Sequence, residues 1–314
     1  MPEVNEVHID AALTGVSVAY TNTDYAADVI APAVPVLKQS DRYFICDPDR
    51  EWMRKSDDLR SPGTPANEVG YYMSSDSYYC QDHALEASVP DEERDNADPA
   101  IAPDIDRTEF LTEKIMLNRE VALSNMLNDA DIPSVSLSED DAWTTSTSNP
   151  IDQFRTAQLS IASAIQRRAN VLLVGQEAFD ALANHPAIIE RIKYTSASAI
   201  TEDVLARLFQ IERVVVGRAW TNISALGRQP IMQPVWGDNA FLIYVTPRPG
   251  LRNIGALSTF TWNAAHTAAN TNGYIVDRWR EPERKADVIR VQKYYDHKLV
   301  TPKTAYRFEN VILH

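Results

Sequence analysis

The sequence has few of the features that assign a chain to a special class. Its 314 residues include only two cysteines, Cys46 and Cys80, which are too few for a disulfide scaffold and fit a reducing compartment. They are either two free thiols or a pair that faces across the arms of a hairpin. Residues 1–6 lack the charged and apolar regions of a signal peptide. The longest apolar runs, such as 240–245, are far shorter than the ~20 residues of a membrane helix, so no membrane partner is predicted.

Sequence motifs that carry chemistry are also scarce. Gly175 lies between a strand and a helix, but a phosphate-binding turn needs more glycines than one. The six histidines do not pair at metal-ligand spacing. The acidic run 91–93 lacks the spaced ligands and the central glycine of a calcium loop, and Gly-x-Ser-x-Gly is absent. We therefore predict that the chain is not an enzyme and has no catalytic residue, no cofactor and no metal site.

The chain has fewer basic than acidic residues, and the difference is unevenly distributed along it. The formal net charge is −14, and residues 41–110 hold 18 acids against 7 bases. Residues 277–314 reverse the balance, with 9 bases against 6 acids. A negative chain repels nucleic acid at long range, which argues against sequence-specific DNA binding. The acidic and basic regions could instead meet between subunits.

The segment 43–98 has the pattern of a long hairpin or extended loop. An apolar strand at 43–46 leads to a Pro/Gly-rich centre at 60–65, an aromatic strand at 71–80 and an acidic exit at 91–98. An isolated two-stranded hairpin is marginal in water, so a long one usually lies on another surface. The alternative is a disordered insertion.

Charges separate along this predicted hairpin, with bases near its tip and acids near its base. We predict that the tip of one subunit meets the base of another. The candidate inter-subunit contacts are Arg54, Lys55, Arg60, Asp91, Glu92, Glu93 and Asp95.

The remaining segments predict an α+β chain. The Pro/Val segment 31–36 is a strap on a neighbour or on the protein's own core, or an ordinary edge strand. A long helix is predicted at 104–129 from apolar residues at helical spacing, and 150–245 reads as a compact α/β block. Alternation at 289–295 and 306–312 predicts two antiparallel strands joined through 299–303.

This order of segments resembles the major capsid protein of tailed bacteriophages, with the fold usually named after phage Hong Kong 97. Local similarities are Val34-Pro35-Val36 before Tyr43-Phe44, the turn Arg60-Ser61-Pro62-Gly63-Thr64, the stretch 89–98 before the long helix, and 172–194 with its strand and helices. The resemblance implies the following units: N-terminal arm 1–42, extended E-loop 43–103, peripheral domain with spine helix 104–149, axial domain 150–275, and peripheral C-terminal strands 276–314.

The resemblance also implies a function. The chain would be a structural protein that assembles into hexamers and pentamers of an icosahedral phage head enclosing double-stranded DNA, packaged without sequence specificity. It would be part of the virion, assembled in the bacterial host cytoplasm. A separate scaffolding protein, a portal and a decoration protein are the implied further partners. The alternatives are an encapsulin-like nanocompartment shell and an α/β enzyme with a long lid loop.

Overall fold

The computed structural model describes residues 8–20, 22, 24–45, 55–70, 74–97, 102–193, 200–248, 250, 254–263 and 274–313. The helices are α1 (Ala11–Ala19), α2 (Ala27–Ile30), α3 (Asp91–Asp95), α4 (Pro103–Asp129), α5 (Pro150–Ile165), α6 (Gln176–Ala183), α7 (Pro186–Ile192) and α8 (Glu202–Phe209). The strands are β1 (His8–Ile9), β2 (Ala33–Val36), β3 (Ser40–Ile45), β4 (Ser74–Tyr79), β5 (Gln81–Pro90), β6 (Ser134–Ser136), β7 (Val171–Gly175), β8 (Arg213–Gly217), β9 (Trp220–Asn222), β10 (Met232–Pro234), β11 (Ala240–Ile243), β12 (Leu257–Trp262), β13 (Tyr274–Glu281), β14 (Ala286–Leu299) and β15 (Ala305–Glu309). Among these described helices, none is both long enough and apolar enough to span a bilayer.

A five-stranded sheet with the order β6-β15-β11-β7-β8 forms the centre of the α/β block. Strands β7 and β8 are parallel, and all five residues of β7 are buried because protein covers both faces. Helices α5 to α8 supply the predicted helix pattern on this sheet. Their apolar faces meet an aromatic group in which Phe154 lies 5.1 Å from Phe308 and 5.3 Å from Trp143, measured between ring centroids.

The C-terminal strands differ from the prediction. Strand β14 and strand β15 belong to different sheets and do not pair with each other, so the expected antiparallel pairing of 289–295 with 306–312 is wrong. The turn Pro302–Thr304 sends the chain into the α/β block. There Phe308 completes the aromatic group and is fully buried.

A six-stranded sheet is built around β14, which has 14 residues. Its order is β1-β13-β14-β12-β2, and β5 pairs with β14 over ten positions, Gln81 to Pro90. Helix α4 packs across this sheet through Leu111 and Ile115, which contact the apolar side of β5 and β14. The sequence predicted this helix, and its 27 residues confirm it.

The paired part of the predicted 43–98 hairpin is shorter than expected. Strands β3 and β4 form a separate antiparallel ribbon, Ser40–Ile45 with Ser74–Tyr79. The return segment Gln81–Pro90 instead belongs to the main sheet, because its apolar residues lie under α4. The return segment therefore lies in the main sheet, and the E-loop range 43–103 stays a prediction.

Over its described residues below 42, the N-terminal segment contacts its own subunit. Asp10 caps α1 by accepting from the backbone N–H groups of Ala12 and Leu13. Ser17 of α1 hydrogen-bonds Thr112 of α4 at 2.7 Å. Strand β2 pairs in parallel with β12. Of the interpretations left open for the Pro/Val segment, the edge strand is the observed one, because β2 is the last strand in the order of its sheet.

Trp236 connects α4 to the α/β sheet. Its indole Nε1 donates a 2.5 Å hydrogen bond to Glu120 of α4. Gly175 and Gly217 end the parallel strands β7 and β8, and both lie directly against Trp236. A Cβ on Gly217 would overlap the indole ring, and one on Gly175 would overlap the Trp236 carbonyl oxygen.

We predict that Gly217→Ala destabilises the subunit by about 1–3 kcal/mol, the usual cost of forcing an extra methyl into a packed site. Gly15→Ala is the matched control, since Gly15 lies in α1 with open space around it. The control should gain about 0.5–1 kcal/mol, because alanine favours a helix interior over glycine. Urea unfolding measures both changes. Equal stability of the two variants would contradict the close approach.

Candidate assembly surface

The β3–β4 ribbon packs on the main sheet through apolar residues. Tyr43 and Tyr78 pack on Phe260 of β12, with ring centroids 5.1 and 4.7 Å apart. Cys80 is a buried free thiol whose Sγ donates to the Phe260 carbonyl oxygen at 3.4 Å. Burial raises the pKa of Cys80 to about 11, so the thiol is protonated at neutral pH. Cys46, its predicted counterpart, lies outside the described residues.

Beyond the ribbon base, the chain has no core of its own. Every residue of 55–70 is exposed, including the apolar Leu59 at 84% and Val69 at 62%. Its side-chain hydrogen bonds are local, as between Thr64 and the Ser61 carbonyl oxygen. This segment is therefore a surface that packs on nothing described in its own subunit.

The predicted basic contacts lie in this exposed segment. Lys55 and Arg60 are both exposed, and neither has an ion-pair partner within the described part of the chain. Arg54 falls outside the described residues. The two described bases are thus available to an acidic group on another molecule.

The predicted acidic contacts are divided by the structure into two kinds. The segment is the short helix α3 and not a solvated loop. Asp91 accepts two hydrogen bonds from the Arg280 guanidinium, at 2.6 and 2.5 Å, and this lowers the pKa of Asp91. Glu93 pairs with Arg107 at 2.8 Å. Glu92 and Asp95 are exposed and have no ion-pair partner among the described residues.

The ion-pair network behind α3 was not predicted from the sequence. Arg94 pairs with Asp104 at 2.8 Å and with Asp287 at 3.0 Å, and Asp287 also binds Arg278 at 2.6 Å. The network joins α3, α4, β13 and β14. Two of its connections, Arg94 to Asp287 and Arg280 to Asp91, join residues about 190 apart in sequence, so no local pattern reveals the whole network. Much of the acidic segment is therefore engaged in ion pairs within the subunit.

A second exposed ribbon was also missed. Strands β9 and β10 pair alone, apart from both large sheets. The ribbon and its turn expose five large apolar side chains: Trp220, Ile223, Leu226, Ile231 and Met232. Its strands have three residues each, too short for alternation to be recognised. The available signal was an apolar stretch with almost no charge around a Gly-Arg-Gln-Pro turn at 227–230.

The structure brings one serine and one histidine together without making a nucleophile. Nε2 of His185 lies 3.1 Å from Ser148 Oγ and 3.1 Å from the Thr145 carbonyl oxygen. Nδ1 of His185 accepts the Ala187 backbone N–H at 3.2 Å, so Nε2 carries the proton of the neutral ring. A general base needs its lone pair facing the serine. His185 therefore serves as a helix cap. No cluster of three or more His, Cys, Asp or Glu suited to a metal occurs within the described ranges.

Buried cations lie between α4 and β14. Arg119 is buried and pairs with Asp28 of α2 at 2.9 Å. Burial, with the nearby Arg119, lowers the pKa of Lys293 to about 7. The same two causes lower the pKa of His297 to about 3. Lys293 also lies 4.2 Å from the centroid of the Tyr274 ring. Keeping these groups inside costs stability that the surrounding packing must offset.

Comparison with known proteins gives matches along almost the entire chain. The family described as phage major capsid protein E matches residues 127–294, more than half of the sequence. The major capsid protein of Pseudomonas phage JBD67 is 27% identical over 313 residues, covering 97% of each chain. A solved phage-related protein from Bordetella bronchiseptica RB50 is 24% identical with a TM-score of 0.75, covering 96% of this chain and 97% of the other. The capsid of the cyanophage P-SCSP1u is 12% identical with a TM-score of 0.60, covering 93% and 89%. The two solved structures share the α+β fold.

We predict that Lys293→Met stabilises the subunit near pH 7 by on the order of a few kcal/mol, since each pKa unit corresponds to about 1.4 kcal/mol. The pKa of Lys293 is about 7 in the folded chain and 10.5 ordinarily. Between these values the unfolded chain binds more protons, so stability rises with pH across this window. Methionine keeps the packing and removes this slope.

The measurement is urea unfolding of unassembled subunits at several pH values from 7 to 10.5. Lys38→Met, at a lysine that is 72% exposed, is the control and should leave the slope as it is. An unchanged slope in Lys293→Met would show that this amine is charged and solvated in the folded subunit.

Proposed function

The chain belongs to the phage major capsid protein E family, and from that premise we propose that its copies form the hexamers and pentamers of an icosahedral head enclosing double-stranded DNA. The more general role follows from the family match itself. The protein is a structural capsid component, not an enzyme, and it assembles into the shell of a virion. The family and its named relatives favour a phage capsid over a nanocompartment.

The exposed segment 55–70 carries the proposal. Sixteen consecutive exposed residues without a local core gain order only by packing on a neighbour. We assign the β3–β4 ribbon and this segment to the E-loop, and α4 to the spine helix. In this assignment the segment reaches over an adjacent subunit, while the body keeps its own two sheets.

The contacts fit a head-to-tail arrangement. Lys55 and Arg60 on one subunit would face Glu92 and Asp95 on the next, since these four charges lack ion-pair partners within the described chain. Such an interface joins two different patches, and it closes into a ring when the rotation allows. Each exposed ion pair contributes only about 0–1 kcal/mol. Many copies in a closed shell make the sum large.

The further partners follow from a packaged genome. DNA would be enclosed without sequence specificity, because a chain of net charge −14 does not attract a phosphate backbone. Assembly would take place in the bacterial host cytoplasm, with a separate scaffolding protein, a portal and a decoration protein. These partners remain proposals that rest on the capsid family.

Electron microscopy of the purified protein tests the proposal directly. We expect rings or regular shells at micromolar concentration. Light scattering should then detect species far larger than the 35.2 kDa chain. A single species of that mass at every salt and protein concentration would contradict self-assembly.

A loop replacement tests whether the exposed segment 55–70 is needed for assembly. Substituting residues 55–66 with a short Gly/Ser turn should leave the circular dichroism spectrum nearly unchanged, because these residues are exposed throughout. Shell formation should be lost or strongly weakened. Regular shells from this variant would show that the segment is not an assembly element, and an unfolded product would place it in the fold.

Lys55→Glu with Arg60→Glu is a milder second variant. It keeps the backbone and reverses only the two proposed contact charges. Lys38→Glu is a control just before β3, because Lys38 is exposed and pairs locally with Asp41. The double variant should assemble less well than this control at low salt, and the difference should shrink as salt screens the charges.

A further inference from the structure

We propose that the tip of the β9–β10 hairpin of one subunit inserts into a pocket beside α6 of a second copy of the chain. This inference deepens the proposed self-assembly and rests on it. It names both halves of one contact: Leu226 as the apolar anchor and Arg228 as its charged neighbour on the hairpin, against Glu177 and Asp180 on the pocket.

The hairpin is built as a projecting apolar element. Its turn places Leu226 fully in solvent, and Gly227 has φ +82°, which turns the chain tightly at the tip. Arg228 is the single charged residue between 219 and 237. It is exposed and has no ion-pair partner within the described ranges. A hairpin of this kind loses solvent-exposed apolar area on docking, which favours association.

The pocket has the complementary character. It has a volume of about 450 Å³ and lies between α6 and the segment 143–146. Trp143, Ala181 and Pro186 contribute apolar lining. Glu177 and Asp180 stand exposed at the same pocket, and neither forms an ion pair in the part of the chain described. One leucine side chain fits such a volume, with a guanidinium placed beside the two carboxylates.

The two patches are formed by different segments of the chain. The hairpin follows β8, whereas the pocket is lined by α6, its neighbouring residues 184–186 and the segment 143–146. No residue belongs to both patches. A contact between two separate patches is heterologous, so repeated copies close into rings. This is the geometry that a multi-subunit capsid component requires.

A second pocket shows why charge favours the pocket beside α6 as the acceptor. It also has a volume of about 450 Å³ and lies along α5 and α8, but Arg155, Arg168 and Arg191 line it. Its cations would repel Arg228, whereas Glu177 and Asp180 attract it. Charge complementarity therefore selects the α6 pocket as the acceptor.

A charge-exchange experiment tests the pairing. Arg228→Glu alone, and Glu177→Lys with Asp180→Lys alone, should each lower shell yield by about tenfold, since like charges at an interface suppress association. Combining the three substitutions should restore assembly. Arg284→Glu is the control: it makes the same charge change at an arginine that is 69% exposed and remote from both patches, and its yield should stay at the wild-type level.

Circular dichroism of each variant excludes misfolding as the cause of lost assembly. A cross-link gives a second readout that does not depend on charge. In a Cys46→Ser background, Leu226→Cys with Ala181→Cys should form a disulfide between subunits after assembly and none in dilute unassembled chains. Wild-type yield from Arg228→Glu, failure of the combined variant to recover, or absence of the cross-link in shells would each overturn the inference. Failure of the wild-type chain to assemble would instead overturn the proposed function.

Discussion

The structure depends on one buried carboxylate, that of Glu120 at the middle of α4. It accepts the backbone N–H groups of Ala26 and Ala27 at 2.8 and 2.9 Å, and the Trp236 indole N–H at 2.5 Å. Burial raises the pKa of Glu120, while these three donors act in the opposite direction. A buried acid without such donors would be costly. Because the donors come from the N-terminal segment and from the loop before β11, this single group ties both to the long helix, and Trp236 extends the tie to the glycine ends of β7 and β8.

The preceding residue, Arg119, also connects the N-terminal segment to α4, through a positive charge. It pairs with Asp28 of α2, one turn or less from the backbone groups that Glu120 binds. Lys293 shares this buried region, where Asp28 favours its charged form while burial and Arg119 oppose it. The N-terminal segment is thus held to α4 by charged groups of both signs, and not by apolar packing alone. This explains why a segment whose prolines and polar residues suggest an extended arm lies folded on its own subunit.

Local signals in the sequence predicted the elements that local physics determines. The long helix followed from apolar spacing between Pro103 and Asp129, and α5 from the cap at Asn149 with Pro150 after it. Pairing partners could not be predicted, because they are distant in sequence. Strand β5 pairs with β14 across 196 to 214 residues, and β15 pairs with β11 across 62 to 68. The candidate contacts between subunits stay predictions. Lys55, Arg60, Glu92 and Asp95 are exposed. Asp91 and Glu93 are paired within the subunit, because arginines distant in sequence return to them.

The subunit has a body held together by internal contacts and two exposed ribbons, and this division affects assembly. The network around Arg94 and the hydrogen bonds that Glu120 accepts lie inside one chain, so these contacts form without a second subunit. What remains exposed is a polar segment at 55–70 and an apolar hairpin tip at Leu226. Contacts of this size are weak one at a time, which lets misplaced subunits dissociate. In the proposed shell every subunit would make these contacts on several sides at once, and their sum would then be large.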